Sequence, residues 1–202
     1  MMNTKLLIIM ALAIASVTQV YSQKDSTSNN RNCKLFVEFD VPITVLTGGI
    51  SANAGIRHKN YRLSLGYEHF KAPSKQFSGT PDGFNMRVNY IYALNFDYFY
   101  AKSKSDKGFY SRLMYHNKSQ FVENKASRDS KILYSQLVGL EAGYVWKFFH
   151  GLYVAPRAGA LYYLKSPQGK DNNPVLIGDA FYDNKRHKVW DTYYSFMLGY
   201  SF

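Results

Sequence analysis

From Trp190 to Phe202, large and small side chains alternate without a break. Trp190, Thr192, Tyr194, Phe196, Leu198, Tyr200 and Phe202 fall on one side, and Asp191, Tyr193, Ser195, Met197, Gly199 and Ser201 on the other. Successive strand residues point to opposite faces, so this segment is a strand with one broad aromatic face and one small or polar face. The same alternation recurs in seven earlier segments, at about 34–45, 49–57, 61–70, 86–100, 108–116, 131–147 and 151–164. No stretch beyond the N-terminus approaches the roughly 18 continuous apolar residues of a spanning helix, so any crossing of a bilayer has to be made by strands.

The links between these segments sort by length. Those at 58–60, 101–107 and 148–150 are short or modest, whereas those at 71–85, 117–130 and 165–188 are long. Short and long links in alternation put the short ones on one rim and the long ones on the other, as in an up-and-down barrel. The first hairpin, expected to turn near Thr47 and Gly48, departs from this order.

Alternation alone does not say which face points outward, because a soluble ligand-binding barrel has the same period with its apolar face inside. The basic residues decide. Five of the eight arginines, Arg57, Arg62, Arg87, Arg112 and Arg157, fall on the polar strand faces, whereas the lysines sit mostly in links and strand ends, with Lys147 the main exception. A desolvated interior suits arginine, whose planar fork pairs with carboxylates through two hydrogen bonds. The same faces supply Glu38, Asp40, Glu68, Asp97, Glu141 and Asp191. These twelve residues predict a structural network of charges inside a lumen that is just wide enough for side chains to fill, and not a wide pore.

A strand that alternates aromatics and closes on Phe202 resembles the final strand of an outer-membrane β-barrel. The chain as a whole is similar to the small eight-stranded outer-membrane barrels of Gram-negative bacteria, of the OmpA or OmpX type. The resemblance implies an all-β, eight-stranded antiparallel transmembrane barrel over residues 34–202, with both termini periplasmic. It implies that Tyr200 and Phe202 mark the chain for the outer-membrane barrel assembly machinery, and that outer-membrane lipid and lipopolysaccharide are its surroundings. It supplies no cofactor, no metal and no specific activity.

The N-terminus agrees with that address. A positive start at residues 1–5, a twelve-residue apolar run at 6–17 and a small-residue exit near Ser22 read as a cleavable signal over 1–22. Residues 23–33 follow as a polar, flexible lead-in. Cys33 is the sole cysteine, which excludes an internal disulfide.

Other classes fit less well. An outer-leaflet lipid-modifying enzyme of the lipid A deacylase kind needs a histidine and serine on one strand face. The nearest candidate is His116 with Ser119, three residues apart and on opposite faces. A soluble periplasmic ligand-binding barrel is the third reading. No histidine has metal-site spacing, and Gly48-Gly49 has no following helix to cradle phosphate. The net charge of +11 in a secreted chain points to anionic lipopolysaccharide rather than nucleic acid, with Lys71, Lys75, Lys118, Lys125, Lys165 and Lys170 as link lysines able to meet its phosphates.

Overall fold

Alternation becomes eight long antiparallel strands that close on themselves. The computed structural model describes residues 33–71, 80–100, 107–168, 173–184 and 189–202; the expected signal and nearly all of the lead-in lie outside these. The first seven wall strands are β1 (Cys33–Asp40), β2 (Ile50–His58), β3 (Tyr61–Lys71), β4 (Phe84–Phe99), β5 (Gly108–Asn124), β6 (Ser130–Phe149) and β7 (Leu152–Lys165). Two short strands follow, β8 (Val175–Ile177) and β9 (Ala180–Tyr182), before the eighth wall strand, β10 (Trp190–Ser201). Each wall strand pairs with its neighbours in the wall, and β1 pairs with β10 to complete the ring. Closure leaves no free sheet edge along the paired lengths. The backbone of Phe202 adds to it by donating to Leu35 O at 2.9 Å. Cys33 and Phe202 lie on the same rim as the turns that join β2 to β3 and β6 to β7, as an even number of wall strands requires.

The first segment does not run on as a strand to residue 45. It ends at Asp40, and α1 (Val41–Thr47) follows. The local chemistry explains the change: the Asp40 carboxylate accepts from Ile43 N at 2.9 Å as an N-cap, Pro42 occupies the first turn, and Gly48 closes the helix at φ +65°. The fifth segment, by contrast, is longer than expected. β5 continues to Asn124 and turns through 125–129 into β6, so residues 117–124 are wall and not link. Within the expected 165–188 link, β8 and β9 form a small hairpin. Ile177 and Tyr182 pack on Phe84, Val122 and Leu133 from the inner faces of β4, β5 and β6, and Asn124 Nδ2 donates to Ile177 O at 3.0 Å and Asp179 Oδ1 at 2.8 Å. The hairpin thereby covers part of the far rim.

The apolar face points outward. Leu63, Leu65, Leu94, Phe96, Leu113 and Leu140 are exposed around the middle of the wall. Near the rim of Cys33 and Phe202, outward rings meet in pairs such as Tyr61 with Tyr98 at 5.5 Å, Phe109 with Tyr144 at 4.8 Å and Tyr200 with Phe202 at 4.8 Å. Toward the other rim, Tyr67 meets Tyr92 at 5.7 Å and Tyr162 meets Trp190 at 5.1 Å. An aliphatic band between two aromatic girdles is the outer surface of a lipid-embedded barrel.

Gly48 offers a test of the helix ending. A Cβ built there meets nothing within 4 Å, so Gly48→Ala adds only left-handed backbone strain, costing about 1–2 kcal/mol. A lowered urea midpoint of the refolded barrel, with strand content unchanged, is the expected result.

Candidate functional site

Seven of the twelve expected lumen charges meet in one continuous network. At its centre Asp97 accepts from Arg62 Nε and, through its other oxygen, from Arg112 Nε at 2.6 Å; Arg112 Nη2 adds a further bond at 3.1 Å. Arg62 Nη1 donates to Glu38 Oε1 at 2.7 Å, where the Tyr153 hydroxyl also donates at 2.9 Å. Arg112 Nη1 lies 3.4 Å from Glu141, which takes hydroxyl hydrogen bonds from Tyr110 at 3.1 Å and Tyr193 at 2.5 Å. Arg157 completes the chain, 3.4 Å from Glu141 and 3.7 Å from Asp40. Asp40 is bonded in turn by the Ser195 hydroxyl while it caps α1.

Strand geometry makes this meeting possible. Residues of like parity face inward on each strand, and the register places Arg62 beside Asp97, Asp97 beside Arg112 and Arg112 beside Glu141 on four adjoining strands. Asp97 is 0 % and Arg112 1 % exposed, so the pairs are not bathed by a water-filled channel. Charges this deep are tolerated because each has opposite charges and hydroxyls around it. Toward the rim of Cys33, Phe99, Tyr110, Val145, Tyr153, Ala155 and Met197 form an apolar layer. The Arg62 guanidinium stands 4.4 Å from the Phe36 ring centre, and that of Arg57 stands 3.9 Å from the Phe99 ring centre.

The other five expected residues are placed differently. Arg57 stays on the inner face but at the rim, donating to Lys59 O at 3.0 Å. Lys147 is half-buried near the end of β6, opposite Tyr153. Glu68 and Asp191 line a cavity of about 270 Å³ above the network. Arg87 is a correction: it is exposed, packs over the Phe121 ring at 4.9 Å and donates to Asn89 Oδ1 at 3.2 Å. A bulge in β4 between Val88 and Tyr90 is the cause, since one extra residue exchanges the faces on either side of it. Val88 consequently points inward and Arg87 outward. His69 Nδ1 holds the bulge, 2.8 Å from Asn89 O.

Lys118 and His116 are corrected in the opposite sense. Neither belongs to a rim or link, because β5 extends past them; both line the cavity, and Lys118 is buried. His116 and Ser119 are of opposite parity on β5, as the sequence pattern has them. Lys71, Lys125 and Lys165 are exposed as expected, while Lys75 and Lys170 lie outside the described residues. Sequence reasoning missed the hydroxyls of Tyr110, Tyr153, Tyr193 and Ser195 as network members, although all four sit on the polar faces of the same alternating segments.

Known structures share this architecture. The chain is similar to a major outer membrane protein from Thermus thermophilus, with 15% identity, 84% of this chain and 99% of that chain covered, and a TM-score of 0.50. It also aligns with the N-terminal β-barrel domain of Pseudomonas aeruginosa OprF, at 12% identity, 85% and 98% coverage and TM-score 0.47. A third alignment is with Neisserial surface protein A, at 11% identity, 84% and 94% coverage and TM-score 0.47. No family model matches the chain, and no curated protein does. The fold is therefore that of the eight-stranded outer-membrane barrels.

The network and the misplaced arginine give opposite expectations for like substitutions. Arg112→Met leaves Asp97 and Glu141 short of a buried partner and is expected to cost about 3–5 kcal/mol. Arg87→Met removes an exposed cation and is expected to stay within about 0.5 kcal/mol. Urea unfolding of both refolded variants checks the difference.

Proposed function

We propose that this chain is an integral outer-membrane barrel with a plugged lumen, serving a structural, surface-interaction or minor-permeability role. The outward apolar surface carries the reading. Leu65 is 69 % and Leu140 66 % exposed, and a belt of such residues around an entire barrel far exceeds the apolar patch that a water-soluble monomer leaves uncovered. Lipid satisfies that belt, and closure of the ring satisfies the backbone groups that lipid cannot.

The network supports the plugged state. A layer of buried ion pairs above an apolar layer fills the described part of the lumen, and in this reading ions cross slowly or not at all. In this reading the rim of Cys33 and Phe202 is periplasmic and the far rim, with the β8–β9 hairpin and the exposed lysines Lys125 and Lys165, meets lipopolysaccharide phosphates. The Tyr200 and Phe202 rings, next to each other at the end of the closing strand, are the mark recognised by the barrel assembly machinery.

Two results would test this. Leu140→Arg places a cation in the middle of the lipid-facing band and should cost about 2–4 kcal/mol in lipid, while the parent shows heat-modifiable migration from the outer-membrane fraction. The parent should also give only small currents in planar bilayers. Equal stability of Leu140→Arg and parent in lipid would contradict the membrane placement, and large steady currents would contradict the plug.

A further inference from the structure

The wall is not a complete ladder. β1 pairs with β10 only from Phe36 opposite Ser201 to Asp40 opposite Met197, although β10 begins at Trp190, and it pairs with β2 no further than Phe39 opposite Ala52. Phe202 N donates to Leu35 O and Ser201 N to Gly151 O. The register of β10 with β7 is unbroken, so even-numbered residues of β10 turn their backbone groups toward β1 and odd-numbered ones toward β7. The N–H and C=O groups of Thr192, Tyr194 and Phe196 therefore face a seam in which, among the described residues, no strand lies. That seam runs from mid-wall to the aromatic girdle at Trp190, a depth at which lipid offers backbone groups no partner. β1 itself has 8 residues, fewer than the roughly 9–11 of a tilted strand that crosses the hydrocarbon.

α1 occupies this seam, in contact with β10 and β2, and its sequence suits a strand better than a helix. Val41, Ile43, Thr44, Val45 and Thr47, five of its seven residues, are β-branched; such side chains lose freedom in a helix and pack well in a sheet. None of the seven is buried, and Val45 and Leu46 are 71 % and 73 % exposed. Burial thus contributes little to the helix, which is held by its ends, the Asp40 cap and Gly48. Continued past Asp40, the register of β1 with β10 sets Val41 opposite Phe196, Ile43 opposite Tyr194 and Val45 opposite Thr192. Each is a hydrogen-bonding position of the kind that Leu35 holds. All three share the parity of Leu35, Val37 and Phe39, so their side chains would join the outward apolar face. Pro42, which has no N–H to give, would turn its backbone away from β10, the side on which an edge strand tolerates proline.

We propose that residues 41–45 are a two-state strap set by the thickness of the surrounding bilayer. In a thin hydrocarbon layer they form α1 in the seam. In a thick one they extend β1 along β10, give Thr192, Tyr194 and Phe196 their backbone partners, and lengthen the apolar outer face at its lowest point. The bias comes from hydrophobic mismatch, which is relieved when apolar height and hydrocarbon thickness agree. Pro42 and Ile43 line the cavity above the network, so the change also rebuilds one of its sides. The inference rests on the membrane placement proposed above, and its test keeps the two apart.

The test is solid-state NMR of the isotope-labelled barrel in dilauroyl and in dierucoyl phosphocholine bilayers, a thin and a thick fluid membrane, with heat-modifiable migration confirming insertion in each. The backbone carbon shifts of Val41, Ile43, Thr44 and Val45 should be helical in the thin bilayer and those of a strand in the thick one. The double variant Thr44→Ala with Val45→Ala, which favours the helix without altering a charged side chain, should keep helical shifts in both. One conformation of the parent in both bilayers, or a double variant that turns to strand as fully as the parent, would overturn the strap and leave the membrane placement standing. Failure of the parent to insert in either bilayer would overturn that placement and the strap with it.

Discussion

Closing a sheet of eight strands forces every inward side chain toward one axis, and in this barrel the axis carries buried charge. Asp97 accepts from both Arg62 and Arg112, and those two arginines tie in Glu38 and Glu141. One carboxylate thus links side chains from β1, β3, β4, β5 and β6. Removed from water, each of these ions would be costly alone; together they hold the strands in a register where inward parity agrees from strand to strand. The outward face follows from the same parity, since a slip of one residue would send the leucines inward and the arginines into lipid.

Asp40 shows how the network reaches the weakest part of the wall. It ends β1, caps α1, takes the Ser195 hydroxyl across the seam and lies within ion-pair distance of Arg157. Above it the strand pairing between β1 and β10 stops and the helix takes over. The barrel is therefore firm where ions and aromatics fill it, and its strand pairing is least continuous at this seam.

Much of this is legible in the sequence because strand alternation is strict wherever both faces are constrained. β6, β7 and β10 have the inward and outward sets that their alternation predicts, and the preference for arginine over lysine on polar faces locates Arg62, Arg112 and Arg157. What alternation cannot register is a change of phase. The bulge in β4 inserts one residue and sends Arg87 outward, and no residue in that stretch announces it. The apolar run through Val41 and Ile43 keeps a period of two, yet Asp40 and Pro42 start a helix. The upper part of β5, with Asn117, Lys118, Ser119 and Gln120, is polar on both faces, so nothing in its pattern distinguishes a wall that rises beyond the apolar band from a link. That is why the pattern puts Lys118 outside the lumen while the fold puts it within.

The central claim is that Asp97 and Arg112 stabilise the barrel as partners, not as separate polar residues. A double-mutant cycle in urea, with Asp97→Leu, Arg112→Met and the two combined, measures it directly. Removing both leaves Arg62 with Glu38 and Glu141 with Arg157, so the double variant should recover most of what either single substitution loses, with a coupling of about 1–3 kcal/mol. Losses that simply add would contradict the account.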